Sequence, residues 1–347
     1  MDLDNDGHQD VLTGSWPGEL FWFRGKGSGE YEKSVMLKDA NDKFICIGGG
    51  IDESDDGILI TGHAEFEETD EGENYVIYHG KRIDSTMEKP VSVTGTASVV
   101  HAVDWDDDGD FDLLVGDIDG NVFLVPNEGN ANEFKFVKHK KVKCENSKSI
   151  KIKGGDAGPV TTDWDGDGDL DLIVACGNGS VQLYRNEGTR REPKLAEAEE
   201  LISKGEDVWR GEDAPRKPTR GLRAKVCVTD YNGDGRPDIL LGDYAVLGHD
   251  PPELSDEEEK EHAELEEERS SLNRKYRELI ETFKGSTRTK NKDEAKAASD
   301  ELKALRDRLT EIAKSLPKKT TTHGWVWVFI QKPVEEDSAK ADAEDSE

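Results

Sequence analysis

Cysteine is scarce in this chain: four in 347 residues. Cys46, Cys144, Cys176 and Cys227 stand far apart with no C-x-x-C pair, which leaves buried free thiols as the default reading and a single disulfide as the alternative. Long apolar runs are absent, so no segment reads as a membrane-spanning helix and direct membrane insertion is not expected. No stretch has the build of a signal peptide. Positive charge is short as well. Against 77 Asp and Glu stand 46 Lys and Arg, a formal net charge of -31, which speaks against nucleic acid and anionic membranes as partners. Catalytic signatures are missing too. There is no H-E-x-x-H and no G-x-S-x-G, and Gly25-Lys26-Gly27-Ser28-Gly29 lacks the lysine and hydroxyl spacing of a phosphate-binding loop, so it reads as a turn. The eight histidines are scattered, and His101 falls on a predicted strand, where a core or channel-lining place is expected.

What the chain has in plenty is aspartate, arranged in copies of one run. Asp163-Trp164-Asp165-Gly166-Asp167-Gly168-Asp169-Leu170-Asp171 places carboxylates at positions 1, 3, 5 and 9 and a glycine at position 6, with an apolar segment directly after. Carboxylates this close repel one another unless a cation sits among them. Oxygen-only ligands on alternate residues around a glycine turn describe a calcium loop rather than a zinc or copper site. Three further copies stand in register: Asp2, Asp4, Asp6, Asp10; Asp104, Asp106, Asp108, Asp112; and Asp230, Asn232, Asp234, Asp238. The residues at position 7 (His8, Asp110, Asp169 and Arg236) share no side-chain chemistry, so a backbone carbonyl is the expected ligand there. A fifth run, Asp52-Glu53-Ser54-Asp55-Asp56-Gly57, passes straight into Ile58-Leu59-Ile60 and lacks the position-9 carboxylate; it reads as a damaged copy with weak or no metal binding. One such run alone would be an acidic surface turn. Four in register are not, and no glutamate at position 12 or flanking helix makes them EF-hands.

Around each intact loop the same order of strands repeats. Val99–Val103, Val160–Thr162 and Val226–Val228 precede loops. Val11–Gly14, Leu113–Gly116 and Leu172–Ala175 follow them, and each turns tightly into a returning strand: Glu19–Phe23, Val122–Val125 and Val181–Tyr184. A further extended segment, such as Phe134–Val137, closes the unit. The fold class is therefore all-β. Four antiparallel strands per unit of roughly fifty to seventy residues is the size of a β-propeller blade. Five units are visible; the first lacks its leading strand and the last its fourth, so the two deficits could complement one another in a five-bladed ring, or upstream blades could be absent. Met1 directly before the ligand Asp2 suggests a mature fragment or a misplaced start. The aromatics at position 2 (Trp105, Trp164, Tyr231) are expected to pack between blades, which leaves Trp16 and Trp209 as candidate sugar platforms.

These runs resemble the FG-GAP/VCBS repeat family, whose D-x-D-x-D-G-x-x-D motif caps blades of a β-propeller. The similarity covers nearly all of residues 1–244 plus the 324–332 strand, and within the family it is to bacterial exported proteins with a helical insertion in a late blade. The resemblance implies a calcium-bearing propeller in an extracellular, cell-surface or periplasmic setting.

In the last unit Gly242 and Gly324 hold the places of the tight hairpin, and residues 245–323 intervene. Ser255 and Glu258 form a capping box, and Leu265, Leu272 and Leu279 recur every seven residues, with Gly285 predicted to stop the helix. Ala298, Leu302, Leu305, Leu309, Ile312 and Leu316 make a second apolar seam, ended by Pro317. Two such helices joined by a polar link fold back as an antiparallel, coiled-coil-like hairpin. Residues 333–347 are acidic and read as a disordered tail. The function expected is a non-enzymatic, calcium-stabilised module binding a protein or carbohydrate, with the helical arm as a docking element. The alternative is a carbohydrate-active propeller, either a polysaccharide lyase or a lectin.

Overall fold

A computed structural model describes residues 1–332 except 49, 55–56, 70–73, 79, 87–88, 207–213, 251, 289–291 and 319; Trp209 and the acidic tail lie outside the described residues. The chain is mostly β, built from several three- and four-stranded sheets and two helices. The first sheet has β1 (Val11–Gly14), β2 (Leu20–Phe23) and β3 (Val35–Met36) in sequential antiparallel order.

The segment that follows departs from expectation. Its six strands are β4 (Gly50–Ser54), β5 (Gly57–Thr61), β6 (Glu65–Glu68), β7 (Asn74–Tyr78), β8 (Lys81–Asp84) and β9 (Val91–Thr94). They form two three-stranded sheets, β4-β5-β9 and β6-β7-β8, and β5 pairs with β9 in parallel. The run beginning at Asp52 is thus no damaged loop. Asp52 pairs with Leu59 inside the β4–β5 ladder, and Ser54 with Gly57 at its end. Ile58, Ile60, Val76, Tyr78 and Ile83 give the segment a core of its own.

The second sheet comprises β10 (Val99–Val103), β11 (Asp112–Gly116), β12 (Val122–Val125) and β13 (Lys140–Lys141). Its outermost strand is Lys140–Lys141 rather than Phe134–Val137. Phe136 is buried instead in the core between the first and second sheets, stacked on Phe134, which meets Trp22 edge-on. The third sheet repeats the pattern with β14 (Gly158–Thr162), β15 (Asp171–Ala175), β16 (Val181–Tyr184) and β17 (Glu199–Ile202).

These sheets stack face to face, and alternation along each strand decides which core a side chain enters. Leu113 and Val115 of β11 face the first sheet, while Leu114 between them faces the third. Leu172 and Val174 of β15 join the core shared with the second sheet; Ile173 and Ala175 join the core shared with the fourth. This is why β11 and β15 are buried at every position. The first sheet lies directly on the second, so the 48–95 segment is an insertion in the connection between them and not a member of the stack. Its two ends meet where Thr96 Oγ1 donates to Ile47 O at 2.8 Å. The connections also share a corner. Ala97 (φ 48), Asp156 (φ 49) and Arg223 (φ 56) all take left-handed backbone, and their N–H groups donate to Trp16 O, Ile118 O and Gly177 O. Two residues, Lys153 and Gly154, do between the second and third sheets what residues 48–95 do between the first and second.

The fourth sheet is formed by β18 (Leu222–Thr229) and the long β19 (Asp238–Gly248). Beyond β19 come α1 (Asp256–Arg288) and α2 (Lys292–Ser315), then β20 (Thr320–His323) and β21 (Val326–Phe329). The first half of β19 pairs with β21 and its second half with β20, so the helices sit on a two-stranded ribbon that prolongs the sheet. The capping box forms: Ser255 N–H donates to Glu258 Oε2 at 2.8 Å, and Glu258 N–H faces Ser255 Oγ at 3.4 Å. Gly285 does not stop α1, which runs three residues further. The helices are antiparallel, with Ala298, Leu305, Ile312 and Leu316 buried along the seam and cross-pairs Arg308–Glu268 and Lys275–Glu301.

Candidate metal centres

All four Asp-rich runs are loops at one end of their sheets, three of them joining the first and second strands of a unit. They share one backbone. Position 6 has positive φ in each (Gly7, Gly109, Gly168, Gly235), and so does position 4 (Asn5, Asp107, Gly166, Gly233). Glycine, asparagine and aspartate tolerate that region, which explains the residue types found there. The position-1 carboxylates hold the turn. Asp2 accepts from the N–H groups of Asp6 and Gly7, Asp104 from Asp108 and Gly109, Asp163 from Asp167 and Gly168, and Asp230 from Asp234 and Gly235. Each position-5 carboxylate (Asp6, Asp108, Asp167, Asp234) accepts the N–H two residues on, from His8, Asp110, Asp169 and Arg236.

Position 9 has a task that the sequence did not disclose. Asp10, Asp112, Asp171 and Asp238 are buried, and both oxygens of each are used. One oxygen accepts from the N–H of position 2: Leu3 at 2.9 Å, Trp105 at 3.3 Å, Trp164 at 3.0 Å and Tyr231 at 3.0 Å. The other accepts from the second residue after the returning strand: Gly25, Asn127 and Asn186, all at 2.7 Å and all fifteen positions on. In the fourth sheet that donor is Gln331 at 2.8 Å, 93 positions on. The helical insertion therefore leaves the unit's register untouched. A buried aspartate ahead of an apolar strand was the available signal, since a buried carboxylate needs partners.

Three loops gather carboxylate oxygens within 4.8 Å of one another: Asp2, Asp4 and Asp6; Asp104, Asp106 and Asp108; and Asp163, Asp165 and Asp171. Among the described residues the Asp230 loop does not. There Asn232 Nδ2 donates to Asp234 Oδ2 at 2.8 Å, and the Arg236 guanidinium also pairs with Asp234. Arginines oppose two of the clusters from equivalent places after the returning strand: Arg24 reaches Asp4 at 2.6 Å, and Arg185 reaches Asp165 at 2.8 Å. Among the described residues no cation makes an ion pair with Asp104, Asp106 or Asp108, although the charge of Lys140 acts on Asp106. The outer Asp107 of that loop faces Arg191 at 3.3 Å.

The Asp104 loop also fits a cation best. Asp110 is 5% exposed, and its Oδ1 is buried without a hydrogen-bond partner. Burial, then the charges of Asp108, Asp106 and Asp104, push the Asp110 carboxyl up to about 6. Burial pushes Asp112 up to about 7 against the opposing pull of the Asn127 N–H. Asp4 Oδ1 in the first loop is likewise buried and unpartnered. Crowded, desolvated carboxylates with unused oxygens suit a hard divalent cation bound through oxygen.

The position-2 aromatics divide. Trp105 and Trp164 pack in the cores between sheets, as Leu3 does in the first loop, whereas Tyr231 is 60% exposed and joins no core among the described residues. Trp16 is exposed at the opposite end from the loops, in the turn between β1 and β2. His101 Nε2 accepts the Thr161 N–H at 3.3 Å and lies 3.0 Å from the Thr161 hydroxyl, tying β10 to β14 across two sheets. The four cysteines are free thiols.

No curated protein matches the chain. Among solved structures it is similar to a crystal structure of BBS1N in complex with ARL6DN, soaked with lead, at 13% identity over 70% of this chain and 73% of that one, with a TM-score of 0.25. The mercury-soaked counterpart gives 14% identity over 70% and 74%, again with a TM-score of 0.25. Residues 163–241, from the third Asp-rich loop to the middle of β19, match the model of the FG-GAP-like repeat. Residues 163–241 thus carry an FG-GAP-like repeat.

Proposed function

We propose that this chain is a calcium-stabilised repeat scaffold of the propeller type, acting as a non-enzymatic binding module outside the cytoplasm. The observation that carries the metal reading is the Asp104 loop, where three carboxylates converge beside a buried, unpartnered Asp110 oxygen. The propeller reading draws support from four sheets stacked face to face with their Asp-rich loops at one end. The binding reading draws support from the two insertions, 48–95 and the helical arm. Both leave from connections at the end away from the loops, because successive connections of antiparallel strands emerge at alternate ends of a sheet. That end then holds Trp16, the β module and the arm as one surface for a macromolecular partner, with the arm acting as a coiled-coil docking element.

Calcium is expected to bind only the folded loops. At a hundredfold excess over the dissociation constant each site would add about 2.7 kcal/mol. Thermal melts in millimolar calcium and in chelator should therefore separate clearly, and Asp108→Ala should narrow the gap. Superimposed melts would dispose of the metal reading. A second reading, binding of an acidic carbohydrate, is favoured by one local feature of the second sheet.

A further inference from the structure

Most of the chain is acidic, but several short stretches are basic, and residues 135–153 are the most strongly so. Eight of residues 135–153 are lysine (Lys135, Lys138, Lys140, Lys141, Lys143, Lys148, Lys151 and Lys153) and one, Glu145, is acidic. This stretch forms the outermost strand of the second sheet and its return, and the lysines are exposed while Val142, Ile150 and Ile152 between them are buried. A mere solvating face would not need such a bias in a chain of net charge -31.

The lysine strip borders a cleft of about 600 Å³ between that strand and the third sheet's loop around Arg191. Trp105, Leu124 and Leu195 form its floor, and Pro126 and Pro193 its walls. Lys140, Lys141, Lys143 and Arg191 stand at the rim, and one end opens onto Asp106 of the metal loop. Lys141 is already engaged with Asn121 Oδ1 at 2.9 Å, and Arg191 with Asp107. Lys140 and Lys143 take part in no ion pair among the described residues.

We infer that this cleft binds a uronic-acid polysaccharide, a sugar ring against the apolar floor and its carboxylates against Lys140 and Lys143. Apolar walls with a few placed polar groups are the usual form of a small-ligand site, and ammonium–carboxylate hydrogen bonds are charge-assisted. A uronan carries one carboxylate per ring, whereas duplex DNA carries a charge about every 1.7 Å of its axis. The uronan thus brings fewer charges than a duplex to a strip one strand wide, which Arg191 faces across the cleft. The inference rests on the metal reading in one respect: a cation in the Asp104 loop would relieve the repulsion between its carboxylates and those of the ligand.

The test is calorimetric titration of the full chain, in millimolar calcium, with a galacturonate hexamer, its neutral galactose counterpart and a short single-stranded DNA. Saturable binding of the uronate is expected, weakened at least tenfold in Lys140→Gln/Lys143→Gln, which adds no negative charge beside Asp106 and keeps a calcium-dependent melt. Three results would overturn the inference: no uronate binding by protein whose melt responds to calcium, equal binding of the neutral hexamer, or equal binding of the DNA. Uronate binding by protein whose melt ignores calcium would support the cleft and count against the metal reading alone.

Discussion

His101 is a residue whose chemistry is altered by its place. Burial between β10 and β14 pushes its imidazole down to about 4, and the Thr161 N–H occupies the nitrogen that would take the proton. The unfolded chain protonates first as the pH falls, near the ordinary value of about 6.5. His101 therefore leaves stability intact above about pH 6.5, removes it progressively as the pH drops to about 4, and removes no more below that. The full span is about 3 kcal/mol. Comparing pH-dependent unfolding of the parent and His101→Gln isolates this loss, and parallel curves between pH 6.5 and 4 would refute it. Asp238 matters through its hydrogen bonds: it is fully buried, with both oxygens on backbone N–H groups in the loop that gathers no carboxylate cluster among the described residues. Hydrogen bonds to charged groups carry about 1.5–3 kcal/mol. Asp238→Asn should thus cost about 2–3 kcal/mol in calcium and in chelator alike, measured by denaturant unfolding. A cost confined to calcium would make Asp238 a ligand rather than a staple.

Among the elements, loops and strands were legible to different degrees. The four intact loops could be read from residue types alone, because their backbone needs left-handed positions that glycine, asparagine and aspartate supply. The Asp52 run could not. Its acid-rich sequence imitates a loop, but β-branched and apolar residues on its far side draw it into a two-sided hairpin with its own core. The outermost strand of the second sheet was also misplaced by sequence. Phe134 and Phe136 look like strand residues, yet they fill the space beside Trp22, and two lysines make the ladder. The position-9 aspartates read equally well as ligands, since sequence spacing cannot tell a metal's oxygen from an N–H acceptor. The helical arm was readable from its capping box and seam, though not its ribbon stalk. Because β20 pairs with β19 only beyond Tyr244, the arm can be removed without disturbing the β19–β21 ladder. Replacing residues 249–319 with Asn-Gly, which suits a two-residue hairpin, should leave the melting temperature within a few degrees and its calcium dependence unchanged. Loss of folding would show that the arm belongs to the core.

Among the described residues, the second and third sheets each share a core on both faces, and the first and fourth each share one on a single face. The fourth sheet's strand Val326-Trp327-Val328-Phe329-Ile330 is apolar at every position, yet Val326, Val328 and Ile330 are exposed while Trp327 and Phe329 pack inward. Val11 of the first sheet is exposed in the same way. Contiguous exposed apolar surface promotes association, and net charge opposes it. Colloidally, then, the net charge of -31 would oppose association through these exposed apolar residues. Screening shortens the reach of that repulsion to about 8 Å at physiological ionic strength and about 3 Å at 1 M salt. Light scattering should accordingly show particle size rising with salt, and Val326→Lys/Val328→Lys should suppress the rise. A size indifferent to salt would mean that the bare faces do not attract one another.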